Sequence, residues 1–262
     1  MTTISTAPST EIQRPDDVQP LVQESLAHPA VHHPFLTRFA RGDFRDPNAA
    51  LRTYAVEYSG YAAWFPRYLK AVIASLDNEH HRELLAHNLE EEQGHLGEDD
   101  CQELRKVGIN PQTVQGVPHP KLFRRFCDGM GISADELQTP TRAARRWRER
   151  FEAFLRRATP AQAVGALGLG TEHIVRPIYE QLITGILAIG KLRRQEFVFF
   201  ELHCLVDDQH QQDLLEIAQD LAQKPGGVTE LRQGMLTALE LRREFWDDLY
   251  NVILDNQLAN PA

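Results

Sequence analysis

From Pro47 to Ile253 the apolar residues recur three and four positions apart, the spacing of one helical face, and no segment sustains the period-two alternation of a strand. After an N-cap at Asp46 a helical pattern runs through Leu51, Tyr54, Tyr58, Tyr61, Trp64 and Leu69, with Pro66 expected to kink it. A second helix, roughly Asn78 to Gln93, sets His81, Leu85, Asn88, Leu89 and Glu92 on one side. Glycines and prolines then break a polar segment from Gly94 to Pro118, which holds at most one short helix around Cys101 to Val107 and reads as an excursion over the surface. Order resumes at HPKLFRRFCDGMGI, where Phe123, Phe126 and Met130 lie beneath His119 at helical spacing and Pro120 suits a first turn. An Arg-rich helix carrying Trp147, Phe151, Phe154 and Leu155 follows, and Pro160 to Ile189 reads as a single helix. The stretch FVFFELHCLVDDQHQ begins the next one, and the last, with Leu231, Met235, Ala238, Phe245, Trp246, Leu249 and Ile253 at core spacing, reads as structural. The pattern predicts an all-α fold: a disordered Thr/Ser/Pro-rich tail over residues 1–20, then one helical domain over 21–262 with an insertion at about 94–118.

Polar residues inside the apolar stripes carry the candidate chemistry. His203, Asp207 and His210 share a face with Phe199, Phe200, Val206, Leu214 and Ile217, and a buried Asp between two His is costly unless it is paired or binds a cation. Glu92, His119 and Glu172 are inward on three further helices, whereas Glu90 and Glu91 fall off the apolar face and are expected in solvent. Three carboxylates and three imidazoles suit two metal ions, and mixed oxygen and nitrogen ligation without thiolate favours iron or manganese. Blander readings stand beside this one: core histidines satisfied by hydrogen bonds, Glu172 neutralised by Arg176, and Glu57 paired with one of the tyrosines on its face. Glu92 and His95 form one Glu-x-x-His pair, but Val175 stands three residues after Glu172, so the ferritin-like arrangement fits poorly. His95 nearly shares the face of Glu92, yet a continued helix there sets Glu98, Asp99, Gln102 and Lys106 beneath it. His119, above an apolar face, is the favoured ligand.

Composition narrows the classes. A net charge of −9 gives no polyanion an obvious site, and the basic run Arg142 to Arg157 reads as a solvated helix face. No nucleic-acid or membrane partner is expected. Three cysteines without CxxC spacing point to a reducing compartment, and with no signal-peptide pattern the expected location is cytoplasmic.

The sequence resembles the heme-oxygenase-like diiron oxidases and oxygenases, relatives of the thiaminase and pyrroloquinoline-quinone-synthase proteins, over about Pro34 to Ile217. The marks are NLEEE ending at Glu92, HPKLFRRF starting at His119, the lone Glu172, and His203-x-x-x-Asp207-x-x-His210, with looser similarity in YAVEYSGYAAWFPRYL and GISADEL. The resemblance implies a heme-oxygenase-like helical bundle with a seven-helix core and no heme. It implies two irons held by Glu92, His119, Glu172, His203, Asp207 and His210, with dioxygen as co-substrate and Glu92, Glu172 and Asp207 in catalytic roles. The expected partners are a small organic substrate and an external electron donor, with a homodimer allowed as the assembly. The chain departs from the family in its long Gly94 to Pro118 link. One branch makes para-aminobenzoate by consuming its own tyrosine and lysine; the matching positions here are Leu36 and Leu182, so that chemistry is not expected. Phe199, Phe200, Leu169 and Ile183 are the expected substrate walls. The alternatives are a metal-free enzyme of the same fold and a non-catalytic metal-binding scaffold.

Overall fold

The computed structural model describes residues 18–259, with the side chains of residues 206–208 outside the described set. Its elements are α1 (Gln19–Ala27), α2 (Pro34–Arg41), α3 (Pro47–Ala62), α4 (Phe65–Ser75), α5 (Glu79–Glu92), α6 (Glu98–Lys106), α7 (His119–Gly129), α8 (Ala134–Gln138), α9 (Arg142–Leu155), α10 (Pro160–Val164), α11 (Val175–Ile189), α12 (Arg194–Ala222) and α13 (Gly227–Ala259). The described residues form no strand, in agreement with the period of the sequence. No described helix is long and apolar enough to cross a membrane. Of the tail expected over 1–20, residues 1–17 lie outside the described set; Val18 is buried and α1 starts at Gln19.

Local chemistry sets the helix starts. Asp46 accepts from the Ala49 amide at 2.9 Å and Pro47 opens α3, Asn78 accepts from His80 N at 2.9 Å to open α5, and Thr141 accepts from Ala144 N at 3.2 Å to open α9. Long α12 and α13 pack on each other, α12 also against α5, α7 and α11, and α13 against α3, α9 and α10. Their shared core is aromatic: Tyr54, Tyr58, Phe126, Phe200, Phe245 and Trp246 are all buried.

Two expectations are corrected here. The kink at Pro66 is a break: α3 ends at Ala62, and the Trp64 amide closes a tight turn on the Tyr61 carbonyl at 2.9 Å before α4 restarts with Pro66 in its first turn. The single helix expected from Pro160 to Ile189 is four pieces: α10, a π-helical turn at Gly165–Leu169, a tight 3₁₀ turn at Glu172–Ile174, and α11. Pro177 has no amide hydrogen to donate to His173, so regular helix cannot pass through this point and must restart with the proline in its first turn.

The first two of these pieces lie backbone to backbone against α13. A Cβ at Gly234 would sit 1.9 Å from the Gln162 carbonyl oxygen, and one at Gly165 would sit 2.0 Å from that of Leu231. Neither neighbour is a side-chain tip that can swing away. Gly234→Ala should therefore cost roughly 2–3 kcal/mol and lower the calorimetric melting temperature by roughly 5–10 °C; an unchanged transition would show that the two backbones separate at no cost.

Candidate metal centre

Three elements bring one carboxylate and two imidazoles to a point. Glu92 is the last residue of α5, His119 the first of α7, and His203 stands on α12, which packs on both. The excursion between α5 and α7 closes on itself: the Gly116 amide donates to the Gly94 carbonyl at 2.8 Å, and Gly94, at φ +93°, leaves room where a Cβ would lie 2.6 Å from the Val117 amide nitrogen. This closure places His119 beside Glu92 although 27 positions separate them. The excursion is no loose surface loop, since Leu96, Leu104, Ile109 and Val114 are buried in the core. His95, by contrast, is exposed outside α5.

His119 Nδ1 donates to Glu92 Oε1 at 2.9 Å, and His203 Nε2 lies 3.9 Å from the same oxygen. His203 Nδ1–H donates to the Phe199 carbonyl at 2.6 Å, which fixes the ring and leaves Nε2 as a lone pair facing the cluster. One ligand atom from each of the three residues lies within 4.8 Å of the others. A cation about 2.1 Å from each ligand needs donors roughly 3–4 Å apart, so the set fits a metal after small movements. Two buried atoms without partners point the same way: His119 Nε2 and Glu172 Oε1.

Glu172 enters through the break in the fold, in the tight turn before α11. Thr171 bridges that break by donating from Oγ1 to the Ala166 carbonyl at 2.9 Å. Its expected neutraliser is otherwise engaged, because the Arg176 guanidinium donates to the Cys204 carbonyl and makes no ion pair with Glu172. His210 is buried with Nε2 on the Glu91 carboxylate. Glu91, expected in solvent, is 3% exposed, because α12 crosses the end of α5 and the excursion covers the other side. The side chain of Asp207 lies outside the described residues. Glu57 accepts from the Thr141 hydroxyl and not from a tyrosine.

A cavity of about 30 Å³ adjoins the cluster, lined by Glu92, His119, Glu172 and His203 together with Tyr58, Tyr61, Tyr179, Phe199 and Arg242. It has room for a water-sized occupant. Of the apolar walls expected from the sequence, Phe199 alone lines it. Arg242 was passed over because the last helix read as structural, yet it continues the core stripe of Leu231, Met235, Ala238 and Phe245.

Charge in the site follows from burial and neighbours. Burial alone would raise the Glu92 carboxyl, but the imidazoles of His119, His203 and His210 outweigh it and hold the group below its ordinary value. Burial, reinforced by His119, pushes His203 down to about 3, so this imidazole is neutral and fit to ligate. Burial likewise pushes Glu172 up to about 7, with His210 and Arg242 opposing and Glu92 adding to the rise.

Residues 52–243 match the profile of a family described as iron-containing redox enzymes. The chain is 24% identical over 238 residues to the 4-aminobenzoate synthase of Chlamydia muridarum, covering 88% of this chain and 85% of that one. Three solved structures share its fold. One is a protein of unknown function with a heme oxygenase-like fold from Shewanella denitrificans (TM-score 0.67, 17% identity, covering 92% of this chain and 91% of that one). Another is a CADD-like protein from Nostoc punctiforme (0.71, 14%, 90% and 96%). The third is a TenA homologue from Pseudomonas syringae (0.65, 16%, 96% and 100%).

The state of Glu172 has a measurable consequence. Between the ordinary carboxyl value of 4.5 and about 7 the folded metal-free protein holds a proton there that the unfolded chain has lost. The contribution of Glu172 to stability is therefore full below 4.5 and lost as pH rises to about 7, a change on the order of 3 kcal/mol at full effect. Urea unfolding of the metal-free protein at pH 5 and pH 7.5 should show this loss in the wild type and not in Glu172→Gln. An equal pH dependence in both proteins would remove the buried proton from the account.

Proposed function

The chain belongs to the iron-containing redox enzyme family, and from that premise we propose that it is a non-heme diiron oxidase or oxygenase that uses dioxygen to oxidise a small organic substrate. The observation that carries the reading is the buried Glu92–His119–His203 cluster, which lines a cavity together with Glu172 and in which His119 Nε2, like Glu172 Oε1, has no partner. Bound iron would supply the reaction with dioxygen, and the protein supplies everything else. In the proposal Glu92, His119 and His203 hold one metal and Glu172, Asp207 and His210 complete the pair. Binding a second cation requires Glu172 to give up its proton and His210 to leave the Glu91 carboxylate.

The aromatic part of the lining does a different job. The Tyr58 and Tyr179 hydroxyls hydrogen-bond to each other at 3.0 Å, and Phe199 packs on His203 with ring centroids 4.3 Å apart. This wall excludes bulk water and keeps the imidazole from turning. The Chlamydia relative makes 4-aminobenzoate by name, but a self-consuming route to that product is not part of the proposal. Leu36 and Leu182, at the positions where such a route needs a tyrosine and a lysine, are fully buried hydrocarbon.

Anaerobic loading with ferrous ion should give about two irons per chain, since six ligands exceed the need of one open iron. His119→Ala should lose one iron and all substrate-dependent dioxygen uptake, whereas His95→Ala, altering an exposed side chain, should keep both irons. A stoichiometry of one or less in the wild type, or the reverse behaviour of the two histidine variants, would overturn the proposed ligand set.

A further inference from the structure

Arg242 is the only cation among the described residues that line the cavity. Its side chain is 1% exposed, and its Nε and Nη2 have no hydrogen-bond partner. These two nitrogens form one edge of the guanidinium, the fork that meets both oxygens of a carboxylate. Aromatic rings lie beside the group: its carbon is 5.0 Å from the Trp147 ring centroid and 5.6 Å from that of Tyr61, and those two rings are stacked 3.7 Å apart. Tyr58, Tyr61 and Tyr179 surround the charge with phenols. No carboxylate among the described residues forms an ion pair with it. Glu92 is committed to imidazoles.

A buried guanidinium with its bidentate edge open is costly, and an apolar side chain of similar volume would fill the same space with less penalty. Binding a ligand anion gives the edge its partner within the cavity that Glu92, His119 and His203 also line. We propose that Arg242 is the subsite for the carboxylate of the substrate, which is therefore a small organic acid held by its carboxylate on Nε and Nη2 with its remaining carbons toward Glu92, His119 and His203. The assignment rests on the proposed function for the word substrate, but carboxylate binding itself needs no iron.

The test uses the full-length protein, metal-free and anaerobically iron-loaded, titrated with formate and acetate, the acids nearest in size to the cavity, and with the corresponding primary amides. Trp147 fluorescence reports the event, because that ring lies against the guanidinium. At least one acid should bind saturably and about tenfold or more tighter than its amide. Arg242→Met should abolish that preference while keeping wild-type iron stoichiometry, and Arg242→Lys, which keeps the charge without the fork, should retain a reduced preference. The lysine variant alone decides the matter if the methionine variant does not fold: an undiminished preference overturns the fork. Equal binding of acid and amide in the wild type, or no saturable acid binding, overturns the proposal. So does loss of iron uptake in Arg242→Met with the preference intact, which would make Arg242 a counter-ion of the metal ligands. Failure of iron loading in the wild type leaves the metal-free titration readable, so the two readings fail separately.

Discussion

A carboxylate taken out of water costs several kcal/mol unless something answers its charge, and the fold is arranged around answering Glu92. Two imidazoles from other helices reach the same oxygen, at 2.9 and 3.9 Å, and the ionised form survives burial because of them. Those imidazoles need fixing in turn. The Phe199 carbonyl sets the tautomer of His203, and the closed excursion from Gly94 to Val117 delivers His119 at a helix start. Glu172 needs a different device. Buried inside regular helix it would be fixed to one direction, but in the irregular turn after Gly170 its carboxyl faces the cavity with Oε1 unclaimed. Three of the polar groups thus stand at a helix end, a helix start and a helix break, where neighbouring backbone leaves room for a polar atom to point inward.

The parts of this arrangement that sequence reveals are those that helical periodicity encodes. Glu92, His119, Glu172, His203 and His210 all stand out as polar residues in apolar stripes, and all five are buried. Periodicity is silent on two other kinds of feature. It assumes a continuous helix, so the stripe from Gly165 to Ile186 concealed the break that Pro177 enforces and the turn on which Glu172 depends. It also assigns one exposed side per helix, whereas the end of α5 is covered on both sides, which is how Glu91 comes to be buried against His210. Arg242 is a third case, with a readable signal: it falls four residues after Ala238 and four before Trp246, on the core stripe. A cation at a core position is as informative as an acid there. The closure of Gly94 on Val117 joins residues more than twenty positions apart and leaves no local pattern beyond the glycine itself.

The site is also where the fold spends stability. His119 Nε2, Glu172 Oε1 and two nitrogens of Arg242 are buried without partners, and each such group costs about 1–3 kcal/mol, more where charged. The packing around them offsets this. Tyr61 stacks on Trp147, Trp147 lies 4.7 Å from Phe245, and Tyr58 stacks on Trp246; pairs of this kind add about 0.5–1.5 kcal/mol each beyond the area they bury. The same rings surround the cation of the cavity lining: the Arg242 carbon lies 5.0 Å from the Trp147 centroid and 5.6 Å from that of Tyr61. Phenols answer part of its charge, with Tyr58 as a hydrogen-bond partner. An aliphatic core of equal volume would stabilise the bundle as well, but it would offer a buried cation neither ring electrons nor a hydroxyl. The aromatic composition of α3, α9 and α13 is therefore part of the site's electrostatics and not merely its scaffold.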